Sequence, residues 1–343
     1  MALHSYGVAS FLFRSPAEGT TGDLPWNREF LREIFIDNEH SVRNYWRRAS
    51  LGLIDLEFEF INSIAWILEL TQNDAMADRD NTVAAARRFF ADNDIVVQGY
   101  DHLLIVVPPA PLDWGATPGD VVLEQIDIPL ATMQHEVGHT LGFMHAFGPF
   151  IPGPFGSLYN DPYCVMGYSG THEHAVTAPA HLMTRPKSGN AFWRSNRRLS
   201  AAALWRNLAE VKLSRERVTY VEKPGPTAVR IFGLCSVGDT HATILAVVPR
   251  RGHPEQFLTV EYRPAVGDDA GVTPAVVVHS IGINDVGAGR SEVDPPWFEG
   301  AIPVNVGEVM NIHDYRITIT DVSATAPESV EVEIRSLDFR LPG

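Results

Sequence analysis

The order of apolar and polar positions divides the chain into two regions of different texture. Up to about residue 215, stretches with the two-residue period of strands alternate with stretches of helical period. From Arg217 onward we count about eight short β-rich runs, separated by clusters of glycine, proline, aspartate and asparagine. This change of texture predicts two domains, residues 1–216 and residues 217–343, the second of which is an antiparallel β-sandwich.

The first region contains periodic segments of both kinds, which predicts an α+β domain. Residues 53–61 alternate between apolar and acidic side chains, as in a strand with one face in water. Residues 102–107 form an unbroken apolar run closed by two prolines, which is typical of a strand in the middle of a sheet. A further strand is predicted at 7–13, and helices are predicted at 27–50, at 81–92, from near Pro129 and at 200–212.

Composition and charge narrow the class of protein. The 343 residues are 45% hydrophobic and 20% charged, as expected for a globular protein with a sizeable core. Lys and Arg number 27 against 42 Asp and Glu, so the formal net charge is −15. Such an acidic chain is a poor general binder of nucleic acid, because phosphate contacts need a surplus of basic groups. No apolar run reaches the roughly 20 residues needed to cross a bilayer, so no membrane span is predicted.

The two cysteines, Cys164 and Cys235, are too few for a disulfide-stabilised scaffold or a four-cysteine zinc module. Whether they pair with each other is left open by the sequence. Residues 1–10 lack the basic start and the long apolar core of a secretion signal. This favours a protein that stays inside the cell, or one whose leader is not part of this chain.

The segment that carries candidate chemistry reads His-Glu-Val-Gly-His-Thr-Leu-Gly-Phe-Met-His, from His135 to His145. On a helix, His135 and His139 are one turn apart, so both imidazoles lie on one face and could bind one Zn²⁺. Gly142 can adopt a left-handed conformation and end the helix, which would let His145 turn back as a third ligand. Three protein ligands leave one position open, which is the arrangement of catalytic zinc.

Glu136 lies beside the first histidine and could reach a water activated by the metal without itself being a ligand. The alternative interpretation is an amphipathic helix whose histidines happen to align and whose glutamate pairs with a surface neighbour. The extended pattern specifies five positions, which makes a chance match much rarer than for the two-histidine motif alone. We therefore interpret His135, His139 and His145 as zinc ligands and Glu136 as the general base.

This motif resembles that of the metzincin zinc peptidases, in particular their gametolysin-like and immune-inhibitor-A-like members. Metzincins carry a methionine-containing turn beneath the metal, and the matching residue here is Met166, which lies 21 positions after His145. Looser similarity extends over much of the chain, in residues 41–52, 100–108, 160–167, 257–263 and 275–279.

The resemblance implies a catalytic domain with a mixed twisted sheet, an active-site helix and a bound Zn²⁺. It implies a zinc-dependent endopeptidase that acts on a protein or peptide substrate, bound as an extra strand along an edge near residues 114–128. It also implies secretion, with the cytoplasm as the alternative location. In some metzincins a tyrosine two positions after the turn methionine helps to stabilise the oxyanion, and Tyr168 matches that position. A plain packing role for Tyr168 stays open.

Other functions fit the same residues. The zinc site could belong to a binding or toxin-like module without peptidase activity, or to a zinc hydrolase that cleaves a non-peptide amide. Asp113 and Trp114 are weak candidates for the cleft, and His172 and His174 for its wall. The pair Asp268 and Asp269 is a weak candidate for Ca²⁺, since the full calcium-loop pattern is missing and two solvated carboxylates are the simpler interpretation.

Overall fold

A computed structural model gives an α+β fold and divides the chain into two compact units. One unit is Met1–Phe143 with Glu173–Asn196, and the other is Met144–His172 with Arg197–Gly343. The predicted α+β class is confirmed. The structure describes residues 1–14, 27–108, 115–117, 120–124, 129–149, 158–167, 173–177, 193–207, 213, 215–222, 225–234, 241–283, 295–323, 325 and 328–337.

The first unit is built on a mixed six-stranded sheet. Its main path runs in the order β2-β1-β4-β6-β5, with β3 also paired to β1, and only β5 pairs antiparallel to its neighbour. The strand at 102–107 lies between β1 and β6, as its continuous apolar sequence predicts. The strands are β1 Ala2–Phe13, β2 Ile54–Phe60, β3 Trp66–Leu68, β4 His102–Val107, β5 Gly115–Thr117 and β6 Asp120–Glu124.

The helix predicted over 27–50 is interrupted. A short helix continues into a π-helical turn, and Asn38 then adopts an extended backbone that breaks the run. Ser41 restarts the helix by accepting a hydrogen bond from the backbone N–H of Asn44. The helices of this unit are α1 Arg28–Arg32, α2 Val42–Ala49, α3 Gln72–Ala77, α4 Arg79–Asp92 and α5 Leu130–Thr140, and the π-helical turn is Glu33–Asp37.

Aromatic and aliphatic side chains from β1, β3, β4 and α4 form a core on one side of this sheet. Phe11 contacts the rings of Phe89 and Phe90 edge-on, at centroid distances of 5.5 and 5.7 Å. Edge-to-face contacts of this kind suit the charge distribution of aromatic rings. The apolar spacing in α4 thus serves to cover the sheet, as the pattern at 81–92 indicates.

The second unit contains two further sheets. The four-stranded sheet is antiparallel, in the order β10-β17-β16-β15, and the five-stranded sheet has the order β14-β13-β12-β11-β9. Residues from both sheets form one apolar cluster. The strands are β9 Val218–Tyr220, β10 Thr227–Phe232, β11 Leu245–Arg250, β12 His253–Arg263, β13 Ala275–Ile281, β14 Trp297–Pro303, β15 Val309–Ile312, β16 Tyr315–Ser323 and β17 Ser329–Ser336, and a helix α6 spans Ala201–Asn207.

Two details of this unit differ from the sequence-based expectation. The edge strand β9 pairs parallel to β11, so the five-stranded sheet is not wholly antiparallel. The sequence pattern also missed β14, which contains Glu299, Gly300 and Pro303 and is largely half-buried at the opposite edge. Glycine, proline and charge are tolerated at a sheet edge, where one side of the strand has no partner in the sheet, and they obscure the alternation that identifies a strand.

A two-stranded pairing of β7 His174–Ala175 with β8 Arg194–Ser195 completes the described elements. No helix among the described residues is long and apolar enough to cross a membrane.

Candidate metal site

The helix that carries the motif is buried along most of its length. Every residue of α5 from Leu130 to Gly138 is buried, including the polar side chains of Gln134, His135 and Glu136. Such a helix needs partners for its polar groups, since an unsatisfied buried group costs free energy. The Trp46 indole N–H donates to the Gln134 carbonyl at 3.0 Å, and the Gln134 side-chain oxygen accepts the backbone N–H of Asn196 at 2.8 Å.

The helix ends in a glycine turn immediately after the second histidine. Gly142 has φ +85°, and its N–H donates to the His139 carbonyl at 3.0 Å. The next N–H, of Phe143, donates to the Gly138 carbonyl at 3.0 Å. These two bonds define a Schellman motif, which closes a helix and turns the chain away from its axis. Phe143 is buried and stacks on Trp46 at 5.3 Å.

We expect Gly142→Ala to cost about 1 kcal/mol of stability and to weaken metal binding, because alanine disfavours the left-handed conformation that redirects the chain toward His145. Gly52 offers a matched control, since it has φ +74° and, like Gly142, open space where a Cβ would lie. Thermal unfolding should show similar losses of stability in Gly142→Ala and Gly52→Ala. Zinc titration should show a loss of affinity in Gly142→Ala only. Equal zinc affinities in the two variants would contradict this role of Gly142.

The structure brings the three predicted histidines together. Each of His135, His139 and His145 offers a ring nitrogen, and these nitrogens all lie within 4.8 Å of one another. His135, His139 and His145 are therefore close enough together that they would hold one metal ion between them. Neutral imidazoles are preferred ligands of zinc, and the donor set therefore fits this metal.

His139 is held in the tautomer that a metal ligand needs. Its Nδ1 lies 2.9 Å from the Phe143 carbonyl oxygen, which can only accept, so Nδ1 carries the proton and Nε2 presents a lone pair. Burial lowers the pKa of His139, and the positive charge of Arg79 lowers it further, while the hydrogen bond to Phe143 opposes the shift. The imidazole is therefore neutral at neutral pH. The helix end thus supplies both the bend and the group that orients the second ligand.

The third histidine lies against a tyrosine that the sequence analysis did not select. The rings of His145 and Tyr159 have centroids 4.1 Å apart and planes inclined by 54°. Tyr159 has φ +66°, an uncommon conformation for a residue with a side chain. Strained backbone of this kind often lies at functional sites. An aromatic residue in a loop carries no recognisable signal in a single sequence, so only the fold reveals Tyr159.

Met166 is buried and lies in a tight turn that contacts the segment of the third histidine. The Met166 carbonyl accepts the backbone N–H of Ala146, the residue after His145, at 2.9 Å. The turn itself is closed by a hydrogen bond from the Gly167 N–H to the Cys164 carbonyl at 2.9 Å. Cys164 is a free thiol, and burial raises its pKa to about 11, with a smaller contribution from Asp161. A neutral buried thiol is not a competing metal ligand.

Several predicted residues lie outside the described part of the chain. These are Asp113, Trp114, Tyr168, His172 and Cys235. His174 is described and half-buried in β7, where its backbone pairs with Ser195.

The interpretation of Asp268 and Asp269 as solvated carboxylates is wrong. Both side chains are buried and face arginines. Asp269 accepts hydrogen bonds from the Arg263 guanidinium, one of them at 2.8 Å, and Asp268 lies 3.7 Å from the Arg198 guanidinium. These acids face cations that the chain itself supplies, and we propose no calcium site there.

Comparison with known proteins identifies no family. No family model matches the chain, and no curated protein matches it. Among solved structures, two crystal forms of OgpA from Akkermansia muciniphila are similar to it over 98% of its length. The aligned regions cover 95% and 92% of the two OgpA chains, at 13% and 10% sequence identity and with TM-scores of 0.32 and 0.33.

Proposed function

We propose that this protein is a zinc-dependent endopeptidase of the metzincin type. The observation that carries the proposal is the convergence of His135, His139 and His145 within 4.8 Å, one of them oriented by the Phe143 carbonyl. Zinc held by these imidazoles would supply Lewis-acid activation of a water molecule and of the scissile carbonyl.

Glu136 is the residue to which we assign proton transfer. It follows His135 on α5 and is buried, so its carboxylate is shielded from bulk water. In the proposed reaction Glu136 takes a proton from the attacking water and passes it to the leaving amine as the C–N bond breaks. A module that only binds a partner through its zinc site has no need of a carboxylate at this position.

The fold supports the metzincin assignment in three respects. The sheet of the first unit is mixed, the motif lies on a buried helix, and Met166 lies in a tight turn that contacts the chain next to His145. In the second unit, one apolar cluster draws on both sheets, which supports a β-sandwich there. We also propose a peptide substrate paired along the edge strand β5, and Tyr168 as a stabiliser of the oxyanion.

The test is metal analysis of the purified protein combined with cleavage of casein and of a fluorogenic peptide. We expect close to one zinc per chain, peptide-bond cleavage, and loss of cleavage in a chelator that is restored by zinc. Zinc without any cleavage of peptides would favour a binding module. Cleavage of small amides alone would favour a different hydrolase.

A further inference from the structure

Eight ionisable side chains other than the candidate metal ligands are buried in the second unit. Four are acidic and four are basic, and each is at most 6% exposed. One comes from the segment that leads into the Met166 turn, two from residues 197–198, and five from β12, β13 and the loop between them. The set is Asp161, Arg197, Arg198, Glu261, Arg263, Asp268, Asp269 and His279.

His279 and Arg263 connect the strands that carry them to the methionine turn. His279 on β13 lies with Nε2 2.9 Å from Oδ2 of Asp161, at the start of the turn, and both side chains are fully buried. The other oxygen of Asp161 accepts the backbone N–H of Tyr163 at 2.8 Å. Arg263 on β12 donates to the Tyr163 carbonyl and, at 3.2 Å, to the Arg198 carbonyl. Strands of the second unit therefore contact this segment at Asp161 and at Tyr163.

The charge states favour a tight pair between His279 and Asp161. Burial opposes ionisation of Asp161, but the facing imidazole, the Tyr163 N–H and Arg197 together hold the pKa of this carboxyl below its usual value. Burial likewise opposes protonation of His279, but the Asp161 carboxylate, with a smaller contribution from Glu261, raises the pKa of the imidazole. Both shifts favour an imidazolium–carboxylate pair. Removing one partner from such a buried pair is costly, because the other charge is left uncompensated.

The turn held in this way has little freedom to move. A Cβ added at Gly167 would lie 2.2 Å from the Asp161 carbonyl oxygen. The Arg198 carbonyl accepts the N–H of Val165 at 3.2 Å, and the Met166 carbonyl accepts the N–H of Ala146. The contacts thus run without a gap from His279 through Asp161 and the turn to the residue next to His145.

We propose that His279 and Asp161 are positioning residues for the third metal ligand: within the second unit they fix the turn whose Met166 carbonyl accepts the N–H of Ala146, the residue after His145. A β-core needs no buried charge for stability, since well-packed apolar side chains of similar volume often serve as well or better. The role of the charged pair is to hold the turn in one orientation, and with it the backbone beside His145. This inference rests on the proposed zinc site.

The test compares zinc affinity with thermal stability in full-length variants. His279→Gln removes the charge, and Asp161→Asn keeps the shape and the acceptor for the Tyr163 N–H. Val332→Ala is the control, because Val332 is buried in the apolar cluster shared by the two sheets. Mutation of a group that hydrogen-bonds a metal ligand typically lowers metal affinity by 10- to 100-fold. His279 and Asp161 act on the ligand through the turn and not directly, so we expect zinc affinity to fall by about tenfold in the two pair variants. The visible spectrum of bound Co²⁺ should change in the two pair variants and not in Val332→Ala.

All measurements are made below the unfolding temperature of each variant. If His279→Gln does not fold, the zinc affinity of Asp161→Asn alone tests the inference. Zinc affinity and Co²⁺ spectra equal to those of Val332→Ala would overturn the inference alone. Absence of zinc binding in the unchanged protein would overturn the proposed function and this inference with it.

Discussion

Glu136→Gln is expected to lower the rate of peptide cleavage by about 10²- to 10⁴-fold while zinc stays bound, because it removes the proton acceptor and leaves the three imidazoles in place. The amide is nearly isosteric with the buried carboxylate, so helix α5 should keep its packing. The measurement is the steady-state rate on a fluorogenic peptide, paired with zinc content on the same preparation.

Glu173→Gln is a suitable control for the general loss of an acidic group. Glu173 lies beside β7 within the first unit, with its carboxylate 3.9 Å from the Arg194 guanidinium. Cleavage by this variant should remain close to that of the unchanged protein. Full activity in Glu136→Gln would refute the role of Glu136 as general base, and loss of zinc in that variant would show that Glu136 acts on the metal site instead.

His145→Ala should weaken zinc binding by at least about 100-fold and remove cleavage. Groups that merely orient a ligand change metal affinity by 10- to 100-fold, so loss of a ligand itself should exceed that range. A competition titration with a chromophoric chelator measures the affinity directly. Excess zinc is expected to restore cleavage only in part, because two imidazoles from one helix do not close the site.

His174→Ala serves as the matched control for His145→Ala. His174 is also half-buried, but among the described residues it is not part of the three-histidine group. We expect its zinc affinity to equal that of the unchanged chain. If His145→Ala bound zinc as tightly as His174→Ala, the three-ligand site would be refuted.

Much of the secondary structure could be predicted from local pattern. The strand at 102–107 and the helix beginning at Pro129 are where the apolar sequence and the proline signals indicate them. Errors occurred where local signals conflict with packing. The helix expected over 27–50 breaks at Asn38, and the strand β14 was missed because edge strands tolerate glycine and proline.

Asp268 and Asp269 illustrate a different reason for error. Two adjacent aspartates in a loop predict exposed side chains, because a carboxylate loses its hydration when it is buried and that loss costs free energy. Here the fold places Arg198 and Arg263 against them, and compensation by these arginines makes their burial possible. Arg198 is about 70 positions away in the chain, and Arg263, only 6 positions before Asp269, lies on a strand that must fold back against it, so neither pairing is visible in a single sequence.

The sequence by itself determined which residues could form a metal site. The spacing of His135 and His139 follows from the helical repeat, and the need for a left-handed residue at Gly142 follows from backbone sterics, so both are local properties. The motif also predicted that His145 returns to the other two imidazoles; the tertiary structure alone decided that Tyr159 lies beside the ring of His145 and that His279 pairs with Asp161 near the methionine turn. The contact of His279 with Asp161 joins residues 118 positions apart in the chain. Both contacts depend on how β-strands and loops pack, which no local pattern encodes.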